Sequence, residues 1–173
     1  MFWNKRLTVA LVTYFLIGLG AVCAGSSAYA QANPTLHIDI PVKLEKGNVV
    51  MDIGHLVFVG DMPFALGDLH LLASDYSDWN AKGQIIAVFH GDAAYLVLND
   101  DSYNADRHVA TGNPYKELIA GMMKLGVQFE LCGATAAAHH WGNANLLTGV
   151  KVNTNAMVRV TQLEQEGYTM IYE

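Results

Sequence analysis

The chain has 173 residues, a formal net charge of −6 and a hydrophobic fraction of 52%, which is one domain's worth of sequence with ample material for a core. Its acidic balance, with no basic patch interleaved with aromatics, argues against nucleic acid and anionic membrane surfaces as partners. Two cysteines, Cys23 and Cys132, are too few for a disulfide-stapled scaffold.

Lys5 and Arg6 precede an apolar run from Leu7 to Gly25, and Ala28-Tyr29-Ala30-Gln31 follows. A basic start, an apolar stretch and a small-x-small site describe a signal peptide over residues 1–30, cut after Ala30. The expected address is therefore secreted, in the periplasm, with no membrane attachment after cleavage. The alternative is an uncleaved anchor, because the run approaches the length that spans a bilayer. Val22 is too large for a lipobox ending at Cys23. Cleavage takes the formal charge from −6 to −8 and leaves Cys132 as the only thiol. A lone thiol in an oxidising compartment is buried, paired with another chain, or kept for its reactivity.

Residues 31–54 read as an extension. Leu36, Ile38, Ile40, Val42 and Leu44 alternate with polar residues, and Val49-Val50-Met51 resumes after a turn, so a β-hairpin or a pair of edge strands is expected. Pro41 favours an edge. The main domain is expected over 55–173. His55 to Val59 reads as a short buried strand, ended by Gly60-Asp61. Asp61 then caps a helix whose apolar stripe is Ala65, Leu69, Leu72, Tyr76 and Trp79. Asp68, Asp75 and Asp78 form its solvated face.

Gln84 to Phe89 is the next strand and runs into His90-Gly91-Asp92. Ala93 to Leu98 fits helix or strand, and Asp100 or Asp101 caps a short helix reaching His108. Asn113 and Pro114 start a helix with the stripe Tyr115, Leu118, Met122 and Leu125, and Gly126 stops it. Val127, Phe129 and Leu131 then mark a strand that ends at Cys132. Gly133 turns the chain into the helix-forming run Ala134 to Ala138. Val150 to Val152 is a short strand. Asn153 or Thr154 caps a last helix with Ala156, Val160 and Leu163 inward and Arg159, Gln162 and Glu166 outward, and Tyr168 to Tyr172 closes the chain as a strand. Strands alternating with helices specify an α/β domain whose mainly parallel sheet of about five strands is covered on both faces.

The chemistry gathers at Cys132. A thiol between a strand end and a helix start meets unpaired N–H groups and the positive end of the helix dipole, which favour the thiolate. The competing reading is a cysteine packed as a small hydrophobe. Ligands collect at the carboxyl ends of strands in such sheets, so Gly60-Asp61, His90-Gly91-Asp92 and Cys132-Gly133 are candidate neighbours. An imidazole there stabilises a thiolate or shuttles its proton, whereas a carboxylate pair opposes it. His139 and His140, with Cys132 and His90, could be assembled into a zinc or copper set. Adjacent residues on a helix point about 100° apart, however, and no CxxC or HxxxH is present. No metal or other cofactor is therefore expected. His37, His55, His70 and His108 have no partners in sequence. Neither GxGxxG nor GxxxxGK[ST] occurs.

The segments GDMPFALGDLHLLA, VFHGDAAYLVLND, NPYKELIAGMMKLGVQFELC and LLTGVKVNTNAMVRVTQLEQEGYTMIY carry a resemblance over His55 to Tyr172. They resemble the DsrE/DsrF-like family, and most closely its secreted branch. The resemblance implies a three-layer α/β/α fold and assembly into homotrimers or homohexamers. It also implies that Cys132 matches the cysteine which, in the sulfur-relay members, takes sulfane sulfur as a persulfide and passes it on. The expected function is a secreted persulfide carrier acting through Cys132, tuned by His90 and His139 or His140, with a sulfur donor or acceptor as its unidentified partner. The alternatives are a non-catalytic oligomeric binding module with a packed cysteine, and a Cys/His metal-binding protein.

Overall fold

A computed structural model of the chain describes residues 37–173; the signal-peptide reading of residues 1–30 lies outside them. The chain divides after Pro41, and residues 37–41 of the first unit are exposed and carry no strand.

The second unit is built on a parallel sheet of β1 (Val49–Ile53), β4 (Ile85–Phe89), β5 (Gln128–Cys132), β6 (Lys151–Asn153) and β7 (Thr169–Tyr172). Their spatial order is β6-β5-β4-β1-β7, and every pairing is parallel. A small antiparallel hairpin, β2 (Phe58–Val59) with β3 (Met62–Pro63), stands apart from it. The helices are α1 (Phe64–Trp79), α2 (Asp100–Arg107), α3 (Lys116–Lys124), α4 (Gly133–Ala138) and α5 (Ala156–Gln165). The fold is therefore the expected α/β sheet flanked by helices, with a hairpin.

Alternation along the strands divides the core in two, because successive side chains leave opposite faces. Met51, Ile53, Ala87, Phe89, Phe129 and Leu131 pack on one face with Leu66 and Leu69 of α1 and with Ile119 and Met122 of α3. Phe89 and Phe129 stack there with centroids 5.7 Å apart. On the other face Val50, Ile86, Val88 and Cys132 pack against Ala156, Val160 and Leu163 of α5. The first core is the larger; the second is a single helix laid over the sheet.

Three expectations about the elements are corrected. The hairpin over Leu36 to Met51 is not formed in its described part: residues 37–48 contain no strand, and Val49–Ile53 is an inner strand between β4 and β7. The hairpin that does form is β2–β3: β2 falls within the stretch read as the first buried strand and β3 in the stretch read as the start of the next helix, and Val57, Phe58 and Val59 are exposed. The caps also move. Asn99 accepts from Ser102 N–H at the start of α2, and Asn155 accepts from Met157 N–H at the start of α5. Asn113 keeps its expected role, since its Oδ1 accepts from Tyr115 N–H at 2.9 Å ahead of α3, and it is also buried, its Nδ2 donating to the carbonyls of Leu96 and Leu98.

Candidate functional site

Cys132 is the last residue of β5 and the N-cap of α4, where the chain turns from strand into helix. Gly133 makes the turn possible by proximity: a Cβ there would stand 2.5 Å from the Asn153 carbonyl oxygen and 3.2 Å from that of Thr154. The loop that leads into α5 is thus drawn tight against the thiol. Ala156 N–H, at the first position of α5, donates to Cys132 Sγ at 3.3 Å. Two helix starts therefore converge on one sulfur. Burial pushes the thiol up, but hydrogen bonds from the Thr135 N–H and hydroxyl, and from the N–H groups of Ala156 and Ala134, outweigh it and hold Cys132 below its ordinary value.

His90 follows the end of β4, beside Cys132 on the same face of the sheet. Its Nε2 lies 2.8 Å from Asp52 Oδ1 of β1. That hydrogen bond raises the imidazole above its ordinary value; burial opposes the shift, and the charges of Asp52 and the Cys132 thiolate add to it. Thr135 joins the two groups, since its Oγ1 accepts from Gly91 N–H at 3.4 Å while its hydroxyl serves the thiol.

Two residues before Cys132, Glu130 is 3% exposed. Arg159 of α5 holds it with Nε and Nη2 at 3.0 to 3.2 Å, and Asn153 Nδ2 and Gln128 Nε2 complete the set. Burial raises the carboxyl, yet these bonds and the guanidinium charge win and keep Glu130 below its ordinary value. Arg159 therefore points inward, not outward as its helical position suggests. The ion pair clamps α5 to β5 next to the thiol.

Of the expected site residues, Cys132 and His90 are brought together. His139 and His140 are exposed at the far end of α4, and His139 stacks on Trp141 with centroids 4.3 Å apart. Neither makes a hydrogen bond to Cys132 among the described residues. Asp61 and Asp92 are exposed and form no part of the thiol's surroundings. Sequence reasoning does not find Asp52, whose strand reads as part of an appendage, or the Ala156 N–H, which lies too far along the chain. An apolar run broken by one aspartate before a glycine, VVMDIG, was the available signal for the first. Among the described residues no three of His, Cys, Asp and Glu are grouped to hold a metal ion. A cleft of about 510 Å³, lined by residues that include Asn99, Asp100, Lys116, Thr148 and Val150, does not include the thiol. No helix among the described residues is long and apolar enough to cross a membrane.

A parallel sheet that presents a hydrogen-bonded cysteine at a carboxyl edge defines an α/β protein with a thiol-centred site. The model of the DsrE/DsrF-like family matches residues 62–172, and the chain belongs to that family. Among solved structures it is similar to a protein of unknown function, MTH1491 from Methanobacterium thermoautotrophicum, at 19% identity and a TM-score of 0.54. It is also similar to the YchN protein of E. coli, at 12% identity and a TM-score of 0.55. Each match covers 73% of this chain and 99% of the other. At these identities the likeness speaks for the fold. No protein of curated function matches the chain.

Proposed function

We propose that the protein accepts sulfane sulfur as a persulfide on Cys132 and passes it to a partner thiol. The observation that carries this reading is the Ala156 N–H donated to Sγ at 3.3 Å where the starts of α4 and α5 meet, with Thr135 and Ala134 adding to the downward shift of the thiol. A thiolate is the nucleophile that attacks a sulfur–sulfur bond, and the fold supplies the groups that stabilise one. Membership of the family supports the same chemistry at the level of sulfur relay. The pattern of residues 1–30 supports export to the periplasm, as a member of the family's secreted branch. The working form we propose is a homotrimer or homohexamer that meets its donor or acceptor there.

The test is to incubate the protein with glutathione persulfide and record its intact mass. A gain of one sulfur, about 32 Da, by persulfide exchange is expected on the wild type and not on a folded Cys132→Ser variant. Equal gains on both contradict the proposal. A second reading draws on a specific observation: Cys132 is 4% exposed and packs with Val50, Val88, Ala156 and Val160. In a non-catalytic oligomeric binding module that cysteine is a core residue, and it is inert to alkylating reagents in the folded protein.

A further inference from the structure

Asp52 stands on β1 with its side chain 19% exposed, and its Oδ1 is 2.8 Å from His90 Nε2. The imidazole lies over Gly54. A Cβ on that residue would stand 2.4 Å from His90 Cε1 and 2.7 Å from Nε2, so the ring occupies this place only because residue 54 has no side chain. The surrounding backbone fixes the pair from three strands. His90 N–H donates to the Ile53 carbonyl at 3.0 Å, Gly54 N–H to that of Glu173 at 3.2 Å, and Glu173 N–H to that of Asp52 at 2.9 Å. Nothing in the proposed sulfur chemistry yet uses this arrangement.

We propose that Asp52 is a positioning residue that sets the tautomer and charge of His90, so that the imidazolium delivers a proton to the thiolate leaving group when Cys132 takes up sulfur. The inference rests on the persulfide reading and deepens it. With the carboxylate accepting Nε2–H, Nδ1 is the ring nitrogen left to gain and lose the exchangeable proton. The Cys132 thiolate attacks the outer sulfur of a donor persulfide, R–S–SH. The new Sγ–S bond forms as the donor's S–S bond breaks, giving Cys132–S–SH and R–S⁻. The Cys132 sulfur is oxidised to the extent that the donor's inner sulfur is reduced, so no outside oxidant is needed. R–S⁻ takes the proton from Nδ1 and leaves as R–SH, and His90 is left neutral.

The charged and titratable groups around His90 agree with this role. Asp52 faces it from β1 and the Cys132 thiol from the end of β5, and both favour the imidazolium. From the β7 side Glu173 reaches Asp52 through the backbone, while Tyr172 Oη pairs with His55 Nδ1 at 2.9 Å. The imidazolium is present below its raised value and lost above it, while the thiolate is present above its lowered value. The two shifts widen the pH range in which donor proton and nucleophile coexist.

The experiment compares the wild type with Asp52→Asn and Asp52→Glu. It follows the His90 ring by NMR as pH is raised and the rate of sulfur uptake from glutathione persulfide over the same range. In folded Asp52→Asn the His90 titration is expected to move to lower pH and the upper limb of the uptake profile to move with it. Uptake on that limb should fall roughly tenfold for each pH unit by which the His90 titration moves. Asp52→Glu keeps the charge and is expected to restore part of both shifts. A folded Asp52→Asn protein with an unchanged His90 titration and uptake profile overturns the role of Asp52 alone. A wild type that takes up no sulfur overturns the persulfide reading, and the proton-delivery role with it.

Discussion

Ala156 N–H donates to Cys132 Sγ at 3.3 Å across a separation of 24 residues. The bond is made by the first turn of α5, a helix that otherwise serves to cover the sheet through Ala156, Val160 and Leu163. Packing and reactivity therefore share one element. Any change that tilts α5 away from β5 is felt at the thiol, even when the chemistry itself is untouched.

Thr135 is the donor that can be removed with least change of shape. Thr135→Val keeps the branched volume but deletes the hydroxyl that helps hold the thiol down and that accepts Gly91 N–H at 3.4 Å. Alkylation of Cys132 by iodoacetamide at neutral pH should slow roughly tenfold, the scale of one hydrogen bond to a charged group. Its pH midpoint should rise. Stability should change by less than about 1 kcal/mol, because the lost Gly91 contact is long.

Glu130 and Arg159 make an acid-sensitive clamp. The folded carboxyl sits below its ordinary value, so the pair's contribution to stability is fully present above the unfolded value of about 4.3. It is lost as pH falls through the folded value. Glu130→Gln leaves the Arg159 guanidinium, 22% exposed, without its partner. Denaturant unfolding at pH 7 should show a loss of about 1–3 kcal/mol, less than for a fully buried pair because Arg159 still reaches water. The same variant should flatten the fall of stability at acid pH. A variant with the wild-type acid profile would show that the clamp does not carry it.

Gly133→Ala tests the close approach behind the thiol. The added Cβ meets the Asn153 and Thr154 carbonyl oxygens at 2.5 and 3.2 Å, and these are backbone atoms that yield only if β6 and the entry to α5 move. Thermal or denaturant melts should register a loss of about 1–3 kcal/mol, the usual cost of overpacking. The alkylation midpoint of Cys132 should also drift upward, since Ala156 is carried away with the loop. Loss of stability with an unmoved midpoint would separate the two.

Much of this arrangement was legible in the residues themselves. The strand into Cys132, the stripes of α1 and α5, and the Gly126 stop follow from periodicity and terminal signals, because those segments are long or sharply punctuated; in α3 the stripe was off, with Ile119 buried and Leu125 exposed. Val49–Ile53 was not legible as an inner strand. Five apolar-rich residues beside the alternating Leu36 to Leu44 also fit a hairpin, and only pairing with Ile85–Phe89 and Thr169–Tyr172, both distant in sequence, decides the matter. Asp52 was lost from view with its strand. His55 to Val59 failed for the opposite reason: a brief apolar run does not reveal whether anything covers it, and here Val57, Phe58 and Val59 are exposed. Arg159 was placed outward by its helical position, yet its long side chain bends back to a carboxylate on the strand that the helix covers.

The most direct test of the account is the pH dependence of Cys132 alkylation in the folded protein, set against the same protein unfolded in urea. The unfolded thiol should react with a midpoint near the ordinary 8.5 or so. The folded thiol should react with a midpoint clearly below it, because Ala156, Thr135 and Ala134 stabilise the thiolate. A folded thiol that is silent, or whose midpoint lies at or above that of the unfolded chain, would contradict the claim that this fold prepares Cys132 to receive sulfur.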